Sequence, residues 1–284
     1  MTPEPEAVDM LPRERPTMNA AAWIGVVVVG FWILIALVGS SLAPFEEGKL
    51  VTTFGYGPAG KITLLGSDYI GRDVFSRLLI GARLTLALAL ITTVFAFVVG
   101  LVLGFAAALS SGWLDTVLSR GIDALLAFPS IILALVAITA LGSSIPVLVA
   151  VVGLIEATRV FRLARALAVD LSVTEFVEVA RARGEGTWWI MRAEILPNTL
   201  FPLATEFGMR FTFTILLLSA LSFLGLGVQP PLADWGAMVR ENISGLLRGS
   251  MAPLAPAAAI SSLTIGVNLI VDSFVRDYGA KADL

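Results

Sequence analysis

The residue types that carry most protein chemistry are missing from this chain, which has no histidine and no cysteine. Their absence excludes HExxH metal sites, Ser-His-Asp triads, histidine proton relays, disulfides and thiolate chemistry together. What remains is a small set of carboxylates and guanidinium groups. Gly66 to Asp73 has the outline G-x-x-x-x-G-R-D, but a phosphate-binding loop needs Lys and then Ser or Thr after its second glycine, and Arg72 and Asp73 cannot replace them. Asp68 to Asp73 does not have calcium-loop spacing either. With no nucleophile and base pair in sight, the sequence reads as neither an enzyme nor a cofactor or metal protein. Glu156, Glu206 and Arg210 stand inside otherwise apolar runs, and ionisable groups in such places are functional candidates by default. They would be the coupling residues of an ion-driven secondary transporter. The simpler reading is that Glu206 and Arg210, spaced i and i+4, neutralise each other in a helix bundle.

The longest charge-dense stretch, Glu178 to Pro197, is flanked by membrane-length apolar runs, and a membrane protein keeps such a segment for contact. Ser172 and Glu175 have capping-box spacing and predict a helix from near Val173. Gly184 is its natural stop, and Ala180 and Ala182 are small enough to admit a partner's backbone. A second short helix is predicted from Thr187 to Leu196. Trp188 and Trp189 suit the boundary between water and lipid, and Pro197 is expected to turn the chain into the next span.

These residues need a membrane scaffold. The 284 residues are 57% hydrophobic and 14% charged, where a soluble domain carries about 25% charge, and the net charge of -3 argues against nucleic acid. Runs of roughly 20 apolar residues read as spanning helices. Residues 19–45 form the first, and 84–114 the second, with Gly100 and Gly104 as a G-x-x-x-G packing step. Two more spans are expected at 117–141 and 146–167, a fifth at 201–228 and a sixth at 253–274. Residues 1–18, with four prolines and few bulky apolar side chains, read as a disordered tail. With both ends inside, the inner segments hold the larger share of the 19 Lys and Arg, as the positive-inside rule requires.

Three motifs in this chain resemble the transmembrane permeases of ABC importers, in the dipeptide, oligopeptide and nickel branch. Glu178, Ala180, Gly184, Leu196 and Pro197 match the cytoplasmic EAA loop, with Val179 in place of the middle alanine and Glu194 in place of an isoleucine. Gly66, Asp68, Gly71, Arg72, Asp73, Ser76, Arg77, Gly81, Ala82 and Arg83 match the LGTDxxGRDxxSRxxxGAR signature. The segment LSFLGLGVQPP with Asp234, Trp235 and Gly236 matches a third motif, although Leu218 stands where the family carries an acidic residue. Arg162 and Arg165 match an R-x-x-R pair before the loop.

The resemblance implies an all-α, type I importer permease with six transmembrane helices in residues 19–276 and a coupling-helix loop at 170–200. Residues 1–18 and 277–284 would be cytoplasmic tails, and the site would be the inner membrane. It also implies a second homologous permease, two ATPase subunits that bind and hydrolyse ATP, and an extracytoplasmic solute-binding protein. Residues 44–80 and 228–250 would face that protein. The implied substrates are short peptides first and nickel or another small solute second. Without His or Cys, direct soft-metal coordination in the pore is disfavoured.

Overall fold

The computed structural model describes residues 19–110 and 112–282, with side chains through residue 276. The N-terminal tail expected at 1–18 lies outside the described residues. Among the described residues there are helices and no strands, and two isolated β-bridges, Leu50 to Arg72 and Ser67 to Asp73, pin the long loop before the second helix.

Helix α1, Ala20–Leu42, starts where the Asn19 side chain accepts a hydrogen bond from the Ala22 N–H at 2.9 Å. Helix α2, Val74–Leu109, starts at Asp73, whose carboxylate accepts from the Ser76 N–H at 2.7 Å. Its 36 residues run to about 54 Å at 1.5 Å per residue, longer than a hydrocarbon core of about 30 Å, so the helix extends beyond what a membrane crossing needs. Gly100 and Gly104 on α2 let helix α5, Ile145–Ser172, approach closely. A Cβ at those positions would lie 2.6 Å from Val160 Cβ and 2.8 Å from Ala164 Cβ. The G-x-x-x-G step is therefore a helix contact.

The span expected at 117–141 is broken. Helix α3, Gly112–Leu126, and helix α4, Ser130–Leu141, meet at 93°. Pro129 supplies the reason, because a proline disfavours the helical conformation of the residue before it. Amphipathic α3 is tied to α5 by a bidentate pair, Arg165 to Asp115 at 2.5 and 2.6 Å.

Two local expectations in the polar loop are also corrected. Helix α6, Glu175–Ala182, is preceded by Thr174, while Ser172 ends α5 and its hydroxyl donates to the Val169 carbonyl at 2.8 Å. The capping box does not form. Nor does Pro197 turn the chain. Helix α7, Thr187–Ile190, passes through a π-helical turn, Met191–Ile195, into helix α8, Leu196–Phe223. The Leu196 N–H donates to the Met191 carbonyl five residues back, and this widened turn relieves the clash a proline ring makes with the carbonyl four residues earlier.

Helix α9, Trp235–Asn242, leads through a 3₁₀ turn, Ile243–Arg248, to helix α10, Leu254–Ala282, which continues past residue 276 into the segment expected as a tail. By length and composition four helical stretches can cross a membrane: Ala20–Leu42, Val74–Leu109, Thr187–Phe223 and Leu254–Arg276. The bent pair of α3 and α4 makes a fifth. Helix α5 is long enough at 28 residues, but its first 18 already hold Glu156, Arg159 and Arg162. Helix α1 packs on α2 and α10, α2 on α5 and α8, and α9 on α8 and α10. Trp32 and Trp235 cross edge to face at 4.8 Å in the larger of the two hydrophobic cores, and Trp235 donates its indole N–H to the Leu78 carbonyl at 3.0 Å.

Candidate functional site

The polar loop is built as a docked helix with one free face. Val177 and Ala180 of α6 are fully buried in an inner core that includes Val160, Ala164 and Ile195, so Ala180 faces this chain's own interior and not a partner. The opposite face leaves Glu178 exposed beside Val173, Phe176 and Val179, and Trp188 of α7 is exposed next to it. Gly184 ends α6 with φ +83°. The Gly184 N–H donates to the Arg181 carbonyl at 2.9 Å and the Glu185 N–H to the Ala180 carbonyl at 3.2 Å, which is a complete Schellman stop. A Cβ on Gly184 would touch nothing, so the backbone angle alone requires the glycine. At the far end of the loop Leu196 packs against the same inner core, and Pro197 is exposed.

The signature at Gly66 to Arg83 forms a buried ion network. The Asp68 carboxylate accepts from Arg72 Nε at 2.5 Å and from Arg77 Nη1 at 2.7 Å. Glu241 of α9 accepts from Arg72 Nη2 at 3.0 Å and from Arg77 Nη1 at 2.9 Å. Two carboxylates and two guanidinium groups thus balance, and they join the loop, the start of α2 and α9 into one block. Gly66 and Gly71 sit at φ +80° and +99°, where a Cβ would strike the Gly57 and Thr52 carbonyl oxygens. Asp73 caps α2, while Arg83 is exposed and makes no ion pair among the described residues. A second tie runs through Asp234, which accepts from the Ala237 N–H and from Thr85 Oγ1, both at 3.0 Å. Burial pushes the Asp234 carboxyl up, and the hydrogen bonds it accepts oppose that shift.

The membrane-embedded ions form a triad, where the sequence suggests a pair. Arg210 Nε lies 2.8 Å from Glu206 on the same helix, and Arg210 Nη1 donates to Glu156 of α5 at 3.0 Å. All three are buried. Arg210 also lies 4.7 Å from the centre of the Phe213 ring. Sequence reasoning marks Glu156 as ionisable but not as the partner of a residue 54 positions away, and it gives no signal for Glu241, which is 169 positions from Arg72.

Residues 100–278 match the family described as binding-protein-dependent transport system inner membrane component. The glutathione transport system permease protein GsiD of Pectobacterium atrosepticum is 35% identical over 213 residues, covering 75% of this chain and 70% of that protein. The dipeptide transport system permease protein DppC of Alkalihalophilus pseudofirmus is 33% identical over 264 residues, covering 91% and 85%. GsiD of Escherichia coli is 32% identical over 267 residues, covering 93% and 86%. With a family match over most of its spans and relatives that align almost end to end, this chain belongs to the binding-protein-dependent transport system inner membrane components, as a multi-pass permease subunit.

Proposed function

We propose that this chain is the permease subunit of an ATP-driven importer for short peptides and builds half of the translocation route. The observation that carries the reading is the loop at 170–200. A helix pinned inward by Val177 and Ala180 and stopped by Gly184 holds Glu178, Val179 and Phe176 outward on a rigid base, as a coupling element must be held. Force on that helix passes through the inner core to α5 and α8, the two helices that carry the buried triad. The peptide substrate rests on the relatives, whose names specify glutathione and dipeptide transport.

In this reading ATP is hydrolysed by two separate ATPase subunits, a second homologous permease completes the route, and an extracytoplasmic solute-binding protein delivers the peptide. Both termini are cytoplasmic, which puts α6 inside and the block of Asp68, Arg72, Arg77 and Glu241 outside. That block makes the surfaces at 44–80 and 228–250 a single stiff platform for the binding protein. Proteoliposomes holding the permeases and ATPases, with binding protein added outside and ATP enclosed, should accumulate labelled dipeptide and be insensitive to protonophores. Uptake driven by an ion gradient without ATP would overturn the reading.

A further inference from the structure

A cleft of about 610 Å³ lies in the angle between the bent pair α3 and α4 and helix α5. Its walls are apolar, including Leu125, Phe128, Leu133, Val151 and Leu154, and among the described residues Arg159 is the one charged residue lining it. Its size falls within the range of roughly 300 to 1,000 Å³ typical of small-molecule sites. Arg159 lies 14 residues into α5, about 21 Å along it at 1.5 Å per residue and near the middle of its 28 residues.

The state of that guanidinium is unusual for its setting. Both nearby carboxylates, Glu156 and Glu206, are held in contact by Arg210, and Arg159 feels Glu206 only at longer range. Arg159 has a hydroxyl contact, Ser130 Oγ at 3.4 Å, and a ring face, Phe213 at 5.8 Å, and among the described residues no carboxylate pairs with it. Arg159 is half-buried against apolar walls, where a charge gains from an opposite one, and the planar fork of arginine matches a carboxylate in two parallel hydrogen bonds. Ser130, at the start of α4, adds a hydroxyl on the same side.

We propose that Arg159 is an anion-binding residue of the translocation route and receives a carboxylate of the transported solute in this cleft. For the identity of that carboxylate as the C-terminus of a short peptide, the inference rests on the peptide reading above.

The cysteine-free chain allows a direct test in the assembled importer in membrane vesicles. Leu133→Cys places one thiol in the cleft, and its modification rates by an anionic sulfonatoethyl and a cationic trimethylammonioethyl thiosulfonate report the local charge. The anionic-to-cationic rate ratio should fall at least about fivefold on adding R159Q, the scale of losing one nearby charge, and be kept by R159K. At Leu141→Cys, at the other end of α4 from Ser130, R159Q should leave the ratio unchanged. Trialanine should slow modification of Leu133→Cys and trialanine amide should not, with the difference abolished by R159Q. A ratio indifferent to R159Q overturns the site, and so does an Arg159 already neutralised by a carboxylate of the second permease, which gives that same result. A ratio that responds while trialanine fails to protect overturns the assignment to a peptide carboxylate. Failure of ATP-driven dipeptide uptake in the unmodified importer is the separate result that removes the peptide reading itself.

Discussion

The buried triad makes a prediction that an isolated Glu206 and Arg210 pair would not. Arg210 is held at 2.8 Å by Glu206 and at 3.0 Å by Glu156, and the three residues are only 6%, 9% and 2% exposed. Glu206→Gln leaves Arg210 its hydrogen bond to Glu156 and removes one of its two ion-pair contacts, so it should be the mildest of the changes. Arg210→Leu strands two buried carboxylates and should cost at least about 3 to 5 kcal/mol, the range seen when one partner of a buried pair is removed. In a two-member pair, Glu206→Gln with Arg210→Leu would restore stability. Here it should not, because Glu156 stays buried and charged without its partner, and only adding Glu156→Gln should recover most of the loss. Thermal unfolding of the purified chain in detergent reads the order, at roughly 2 to 4 °C per kcal/mol for a chain of this general size. Recovery in the double variant equal to that in the triple would refute the three-way account.

Gly184→Val should impair coupling, because φ +83° costs an L-residue about 1 to 2 kcal/mol and a β-branched one more, whereas Gly184→Asn should be milder. The ratio of peptide transported to ATP hydrolysed in the reconstituted importer checks this, and an unchanged ratio for Val would remove Gly184 from the coupling element. A cysteine at Leu64, 58% exposed, should react with an impermeant thiol reagent from outside the cell, while one at Ser67, fully buried with its hydroxyl oxygen accepting from the Gly57 N–H at 2.7 Å, should resist it. Labelling of Leu64→Cys from the cytoplasmic side only would reverse the topology.

The membrane scaffold was legible because uncharged runs are long enough to report themselves, and the G-x-x-x-G step and the Gly184 stop depend on residue types with one dominant physical use. Local competition hid other features. Ser172 and Thr174 both precede an acidic residue at a helix start, and the chain uses neither hydroxyl as a cap, since Thr174 donates to the Leu171 carbonyl at 2.6 Å. Pro197 looked like a turn because the π-helical turn that accommodates it depends on backbone carbonyls and not on a side-chain pattern. Pro129 did signal the break between α3 and α4, but the apolar run on either side masked it. The ion networks were out of reach for a different reason: Arg72 with Glu241 and Arg210 with Glu156 are joined only by the packing of α2 on α9 and α5 on α8.

Coupling requires that the exposed face of α6, and not its buried one, meets the ATPase. In a chain without cysteine, Val179→Cys at 56% exposure and Ala180→Cys at 0% place one exposed and one buried thiol about 100° apart around one helix. A short thiol-to-amine cross-linker applied to the assembled importer should join the Val179 position to an ATPase subunit, with a yield that changes on ATP binding, and should leave the Ala180 position unjoined. Absence of any ATPase adduct at Val179, with that thiol reacting instead with a lipid-dissolved reagent, would contradict the coupling role.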